Sequence, residues 1–136
     1  MTESAAGKIS ITNKDNVYRI KLSGDADIDF VNTFSKTAAD LEQKKETTIL
    51  VVDMKDVTYI DSSSLGIFVK LIKLYNKKSN TIIIFKPRAQ ILELFNLTGL
   101  IRFLTICETN NGLEKEIKKK SRKKQLLKIP SIEPES

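Results

Sequence analysis

An aspartate followed by three serines, Asp61 to Ser64, is the stretch of this chain whose residue types and spacing could do chemistry. It lies where a β-rich run changes into the most apolar helical pattern of the sequence. Aspartate and serine are preferred N-cap residues, and a helix N-terminus also favours a phosphate group. The stretch is therefore a helix cap or an acceptor of a phosphoryl group, and these four residues alone favour the cap.

The composition argues against most kinds of catalysis. Histidine is absent from the 136 residues, so the usual general base, the usual zinc ligand and any Ser-His-Asp triad are missing. The single cysteine, Cys107, lies in an apolar run and is expected to be a small core residue. Asp61 beside serines lacks a convincing base, so we expect no enzyme activity, no metal and no cofactor.

The net charge of +6 is concentrated in one segment. Residues 115–128 contain eight basic residues and one acid, whereas residues 1–114 carry fifteen basic and fourteen acidic residues. Binding of nucleic acid or of an anionic surface through this segment is one alternative function. The segment has no interleaved aromatic residues and no reading motif, which favours a solvated tail without a specific nucleic-acid partner.

The elements that position Asp61 to Ser64 follow from hydrophobic periodicity. Alternating residues predict a hairpin over 9–12 and 17–22, with Gly24 breaking its second strand. Continuous apolar runs predict further strands, and those runs are 47–52, 81–85 and 103–107. Helical spacing predicts four helices, which begin near Asp27, Ser63, Pro87 and Leu113.

This order predicts an α/β fold, a mixed and mostly parallel sheet with an N-terminal antiparallel hairpin and about four helices. We expect a flexible N-terminus over 1–8, one domain over 9–118, and a basic tail over 119–136 that is mobile or weakly helical. No apolar run reaches about 20 residues and no signal-peptide plan is present, so a cytoplasmic protein without a membrane span is expected.

Polar residues follow two of the predicted strands. Asp25 and Asp27 come after one strand, and Asp61 and Ser62 come after the loop that ends another. Sites in open α/β sheets form beyond the carboxyl ends of strands. If these two strands are neighbours, three carboxylates and three hydroxyls meet at one edge of the molecule.

The second predicted helix has three rows of side chains. The core row is Leu65, Phe68, Val69 and Ile72. The polar row is Gly66, Lys70, Lys73 and Lys77. A further apolar row, Ile67, Leu71 and Leu74, is either covered by a neighbouring helix, which the sequence favours, or presented to a partner.

Residues 60–66 read Ile-Asp-Ser-Ser-Ser-Leu-Gly and resemble the phosphorylation-site motif of STAS domains, Asp-Ser-(Ser/Thr)-Gly-Leu-Gly. The resemblance is to the anti-sigma factor antagonists of bacterial partner-switching systems. Residues 22–27 resemble the family's Gly-Glu-Leu-Asp segment, 49–53 its central strand, and 97–106 its closing stretch. The resemblance covers about 9–118 in the family's order.

The resemblance implies a binding protein that switches partners. The unphosphorylated antagonist binds an anti-sigma factor that is also a serine kinase, and a sigma factor is released. The kinase phosphorylates the serine after the aspartate, and a PP2C-type phosphatase removes the phosphate. That serine corresponds to Ser62, with Ser63 as second choice. Ser64 stands where the family usually has glycine, and we expect it either to crowd a kinase loop or to improve the helix cap.

The surroundings of the phosphosite and the partner interface are predicted to share one surface, formed by Asp25, Asp27, Thr58, Asp61, Ser63, Ser64, Gly66, Ile67 and Lys70. A second alternative function is a STAS scaffold subunit of a signalling or transport complex, not phosphorylated, which docks a fixed partner through the row Ile67, Leu71 and Leu74. The sequence leaves open whether the protein is a monomer or a weak homodimer.

Overall fold

The computed structural model describes residues 8–15, 17–42, 49–77 and 81–127. Its strands are β1 (Lys8–Lys14), β2 (Val17–Ala26), β3 (Ile49–Ile60), β4 (Thr81–Phe85) and β5 (Thr105–Cys107). Its α-helices are α1 (Ile28–Glu42), α2 (Ser62–Lys77), α3 (Ala89–Leu97) and α4 (Asn110–Leu127), and a 3-10 helix spans Leu100–Phe103. The element order is the predicted one with this 3-10 helix added.

The five strands form one sheet in the order β1-β2-β3-β4-β5. β1 pairs with β2 antiparallel, and the remaining pairs are parallel. The predicted mixed sheet with an N-terminal hairpin is therefore confirmed. Because parallel neighbours are joined by right-handed crossovers, this sequential order places α1, α2 and α3 on the same face of the sheet.

Three phenylalanines join these helices above the sheet. The ring centroids of Phe34 in α1 and Phe68 in α2 are 5.6 Å apart, and those of Phe68 and Phe95 in α3 are 6.3 Å apart. All three side chains are at most 2% exposed. The larger hydrophobic core thus lies between the sheet and α1, α2 and α3.

Helix α4 covers the opposite face of the sheet. Its buried Leu113 belongs to a smaller cluster with Ile49, Val51, Ile83, Phe85 and Cys107. Cys107 is buried, as the sequence predicted. Burial raises the pKa of its thiol, and the charge of Glu116 adds to this effect.

β2 continues through Gly24, so the prediction that this glycine ends the strand is wrong. Gly24 has φ of 82°, in the left-handed region that glycine adopts without strain. It lies beside a shift in register between β2 and β3, and the strand goes on to Ala26. The glycine therefore allows an irregularity inside the strand.

β3 ends at Ile60, well beyond the predicted end at residue 52. Two register shifts against β2 each place one extra residue on β3, which is the geometry of a β-bulge. Each bulge moves the inward position by one residue, so the buried side chains step from Met54 to Val57 to Ile60. The period-two pattern is lost there, which is why the sequence did not indicate a strand.

Three further boundaries differ from the prediction. α3 begins at Ala89, with Arg88 rather than Pro87 at its start. β5 begins only at Thr105, since the preceding residues form the 3-10 helix after Gly99. α4 begins at Asn110, where the hydroxyl of Thr109 accepts a hydrogen bond from the Gly112 N–H at 2.9 Å.

α4 continues to Leu127, past the domain boundary predicted at residue 118. Residues 119–127 of the predicted tail are thus helical, and residues 128–136 lie outside the described part of the chain, as do residues 1–7. Among the described residues, no helix is long and apolar enough to cross a membrane.

Candidate functional site

The carboxyl ends of β2 and β3 meet at one edge of the sheet. The two strands are parallel neighbours, with Asp25 opposite Tyr59 and Ala26 opposite Ile60. Neighbouring strands lie about 4.8 Å apart. The chain segments that follow, which begin with Asp27 and Asp61, therefore leave the sheet side by side. The two strands are thus neighbours, which is the condition under which the sequence predicted that the aspartates and the serines share one edge.

Asp61 caps α2. Its Oδ1 accepts a hydrogen bond from the Ser64 N–H at 2.7 Å, and its carbonyl oxygen accepts one from the Leu65 N–H at 2.9 Å. The Ser64 N–H is the main cause that lowers the pKa of Asp61. The Ser64 side chain adds to this effect, desolvation opposes it, and the Ser63 N–H lowers the pKa further. The carboxylate is thus ionised near neutral pH.

Ser62 and Ser63 are the first two residues of α2, and both are exposed. Neither hydroxyl forms a hydrogen bond with a described residue. Asp61 supplies the cap, so within the described ranges the helix start does not depend on these hydroxyls. The structure therefore separates the two roles that the sequence left open, with the cap assigned to Asp61 and two serines left exposed at the helix start.

Ser64 is buried, which contradicts the expectation that its side chain crowds a kinase loop, whereas its contribution to the helix cap stays a prediction. Its exposed fraction is 0%, and its Oγ has no hydrogen-bond partner among the described residues. It lies on the buried face of α2 with Leu65 and Phe68. A side chain in the interior does not crowd an approaching kinase loop. Ser64 is accordingly not part of an exposed partner surface.

A set of hydrogen bonds holds the end of β3. Thr58 Oγ1 donates to Asp25 Oδ1 at 2.9 Å, which ties β3 to β2. On the other side, β4 pairs with β3 only as far as Asp53. Beyond that point, Arg88 Nε donates to the Lys55 carbonyl at 3.0 Å, and Gln90 Nε2 donates to the Thr58 carbonyl at 3.4 Å. Side chains at the start of α3 thus replace the missing strand.

The exposed surface of α2 begins with the serines and continues along the predicted polar row. Gly66, Lys70 and Lys73 are exposed, and a Cβ at Gly66 would meet nothing within 4 Å. Ile67 is half-buried and packs against the larger core, as expected for a covered row. The side chains of Leu71, Leu74 and Lys77 lie outside the described part of the chain.

Comparison with known proteins identifies the family. The sequence model of the STAS domain matches residues 8–125. This chain belongs to the STAS domain family. A curated relative, the anti-sigma-B factor antagonist of Staphylococcus aureus, is 30% identical over 108 residues, which cover 79% of this chain and 96% of the relative.

Solved structures share the STAS fold. An anti-sigma factor antagonist from Mycobacterium paratuberculosis superposes with a TM-score of 0.69 at 16% identity and covers 87% of this chain and 99% of its own. The Bacillus cell fate determinant SpoIIAA in its phosphorylated form gives a TM-score of 0.65 at 14% identity, with coverage of 79% and 98%. At these identities the likeness is one of fold.

Tyr59 is a residue of the STAS domain edge that the sequence reasoning missed. Its side chain is 56% exposed. The second bulge of β3 turns two consecutive residues, Thr58 and Tyr59, away from the core between the buried Val57 and Ile60. The spacing of three between apolar residues 54, 57 and 60 was the only signal available, and it resembles a helical pattern as much as a bulged strand.

Arg88 and Gln90 were also missed. Their partners, Lys55 and Thr58, lie more than thirty residues earlier in the chain. No local sequence pattern predicts these hydrogen bonds, because they depend on where the pairing of β3 with β4 stops. Across the ranges that the structure describes, no group of three or more acidic or cysteine side chains is arranged to hold a metal ion.

The edge combines groups with opposite effects on a phosphate. The N-terminus of α2 carries roughly half a positive charge, which favours a phosphate on Ser62. The carboxylates of Asp25, Asp27 and Asp61 belong to the same edge and disfavour it. The helix terminus and the carboxylates therefore act in opposite directions on any anionic group at this edge.

Proposed function

We propose that this STAS protein is an anti-sigma factor antagonist whose binding is switched off by phosphorylation of Ser62. One observation carries the proposal: Asp61 caps α2, and the exposed Ser62 hydroxyl at the helix start forms no hydrogen bond with a described residue. The name of the Staphylococcus aureus relative supports the class of partner. Ser63 is equally exposed and is the second choice for the acceptor.

The proposed protein acts in the cytoplasm and performs no catalysis. Its unphosphorylated form binds an anti-sigma factor that is also a serine kinase, and a sigma factor is thereby released. The kinase transfers phosphate to Ser62, and a PP2C-type phosphatase restores the binding form. The surface that binds the partner consists of the Asp25–Asp27 segment, the end of β3 with Thr58, and the exposed row of α2 with Gly66 and Lys70.

The switch works through electrostatics at this surface. A phosphate adds a charge of about −1.5 to −2 beside the ionised carboxylate of Asp61. A charge left unpaired in a tight contact costs several kcal/mol, so the complex is lost. The N-terminus of α2 compensates part of the phosphate charge within the domain, so the domain stays folded.

Phosphorylation in vitro tests the acceptor. The protein is incubated with the anti-sigma factor kinase of the same organism and ATP, and the phosphate is located by mass spectrometry. Label is expected on Ser62 in the wild type and in Ser63→Ala, and it should be absent from Ser62→Ala. Label on another residue, or no label in the wild type, would contradict the proposal.

Binding tests the switch. Ser62→Asp is expected to weaken the complex with the anti-sigma factor at least tenfold, which corresponds to about 1.4 kcal/mol. Ser62→Ala, which adds no charge, should bind within a few-fold of the wild type. Equal affinity of Ser62→Asp and Ser62→Ala would show that charge at this position does not control the contact.

A second candidate function is contact with an anionic surface through α4. Four basic residues with helical spacing, Lys115, Lys118, Lys119 and Arg122, are exposed on the helix face away from Leu113. They form no ion pair with a described residue. Replacing all four by glutamine should abolish binding to nucleic acid and flatten its salt dependence. Binding that persists in this variant, or is absent from the wild type, removes the candidate.

A further inference from the structure

We propose that Tyr59 is an anchor residue for the anti-sigma factor, which inserts the phenol ring into an apolar pocket bordered by basic side chains. The inference rests on the function proposed above and names the chemistry of the partner surface. It concerns a residue three positions before Ser62, on the bulged end of β3.

The Tyr59 side chain forms no hydrogen bond or ring stack with the part of the chain that the structure describes. The side chain is 56% exposed, although the residue lies in a strand between the buried Val57 and Ile60. Its ring does not stack on a described aromatic residue, and its hydroxyl forms no hydrogen bond with a described residue. Single exposed apolar residues are common on protein surfaces. The role of Tyr59 therefore depends on how the residue is held and on what surrounds it.

The backbone of Tyr59 is held on both sides. The preceding Thr58 is fixed by Asp25 through its hydroxyl and by Gln90 through its carbonyl group. The following Ile60 is buried, and Asp61 is locked in the cap of α2. Because the backbone is already ordered, binding costs only the rotamer entropy of one ring, and tyrosine is enriched among the residues that dominate binding energy.

The charge around Tyr59 indicates the partner chemistry. Asp25 is its register partner on β2, and the ionised Asp61 is two residues further along the chain. A pocket that receives the ring is therefore bordered by carboxylates of the STAS domain. Arginine or lysine at the rim of the partner pocket complements these charges and gives the contact its orientation.

The anchor and the switch belong to one contact. Three residues span at most about 10 Å between the Cα atoms of Tyr59 and Ser62. A standard interface buries about 800 Å² on each partner, which is enough to cover both positions. A phosphate on Ser62 therefore introduces its charge beside the desolvated anchor, where it is least tolerated.

Affinity for the anti-sigma factor kinase, without nucleotide, is measured by titration calorimetry for Tyr59→Ala, Tyr59→Phe and a matched control. The control is Phe103→Ala, because Phe103 is also 56% exposed but lies just before β5, at the opposite edge of the parallel strands. Tyr59→Ala is expected to lose about 30-fold or more in affinity. Tyr59→Phe and Phe103→Ala should remain within about threefold of the wild type.

Each other outcome decides between the anchor and the switch. Tyr59→Ala within threefold of the wild type, while Ser62→Asp still loses binding, overturns the anchor and leaves the switch intact. A loss in Tyr59→Ala without any loss in Ser62→Asp supports the anchor and overturns the switch. Equal losses in Tyr59→Ala and Phe103→Ala overturn the anchor, and a wild type that does not bind overturns both proposals. Thermal unfolding of every variant ensures that folded proteins are compared.

Discussion

Ser64 places a hydroxyl in the interior, where its Oγ forms no hydrogen bond of good geometry with a described residue, although the Ser64 side chain lowers the pKa of Asp61. A buried hydroxyl without a partner costs about 1–3 kcal/mol. Replacing Ser64 by alanine should therefore raise the free energy of unfolding by about 1 kcal/mol. Urea unfolding measures the effect, with the exposed Ser63→Ala expected within about 0.5 kcal/mol of the wild type.

The variant Ser64→Gly separates the effect of removing the hydroxyl on stability from the effect of helix propensity. Glycine also removes the hydroxyl, but in a helix it is about 0.5–1 kcal/mol less favourable than alanine. The glycine variant should thus be less stable than the alanine variant by about that amount. A less stable Ser64→Ala than wild type would mean that the hydroxyl has a partner that the structure does not show.

Asp61 gives the stability a defined dependence on pH. Its folded-state pKa is lowered from the ordinary value of 3.8, chiefly by the Ser64 N–H. The stabilising effect of the ionised cap is therefore fully present above 3.8 and is lost as the pH falls through the folded-state pKa.

Nuclear magnetic resonance of the carboxyl carbons should show Asp61 titrating below 3.8. Asp61→Asn keeps a capping oxygen but cannot titrate. Its unfolding free energy should fall less steeply than that of the wild type between about pH 5 and about pH 2. Parallel curves for the two proteins would contradict the assignment of the cap to the ionised carboxylate.

At the scale of single elements, α2 carries a glycine that the domain does not need. A methyl group at Gly66 would meet nothing within 4 Å. Gly66→Ala should therefore stabilise the protein by about 0.5–1 kcal/mol. If a partner approaches this row closely, the same methyl group should weaken binding to the anti-sigma factor.

The expected combination for Gly66→Ala is a higher unfolding midpoint and a lower affinity, measured by urea unfolding and calorimetry on the same preparation. Lys73→Ala serves as the control, because Lys73 is exposed on the same row but lies two helical turns beyond Gly66. Unchanged affinity in Gly66→Ala would place Gly66 outside the interface.

The element order, the N-terminal hairpin and the mostly parallel sheet could be predicted from the sequence because hydrophobic periodicity is local, whereas the order of the parallel strands could not. The same locality explains the errors. The bulges in β3 changed the period of its buried residues, so the run from Met54 to Ile60 was not recognised as a strand. The glycine at 24 was interpreted as a strand end because its role depends on the neighbouring strand.

For the candidate site, the sequence placed Asp25, Asp27 and Asp61 at the ends of two strands, and the topology made those strands neighbours. It could not decide which polar group caps α2 or which serine is buried, since both depend on the rotation of the helix against the core. The sequence could not predict the hydrogen bonds of Arg88 and Gln90, because they form where β4 is too short to pair with β3.

At the scale of the whole molecule, Phe68 links three helices. It stacks between Phe34 and Phe95 and is 2% exposed. Phe68→Ala should lower the unfolding free energy by about 3–5 kcal/mol, a large part of the total stability of a domain this size. Val69→Ala, at a half-buried neighbour, should cost clearly less. A loss below about 1 kcal/mol for Phe68→Ala would contradict its central place in the core.

The sequential strand order has a consequence for synthesis on the ribosome. Each strand after β1 pairs with the strand that precedes it in the chain. A nascent chain can therefore extend its sheet in the order of translation, because every new strand finds its partner already made. We expect the edge with Ser62 and Tyr59 to assemble before α4 leaves the ribosome, and the back of the sheet to be covered last.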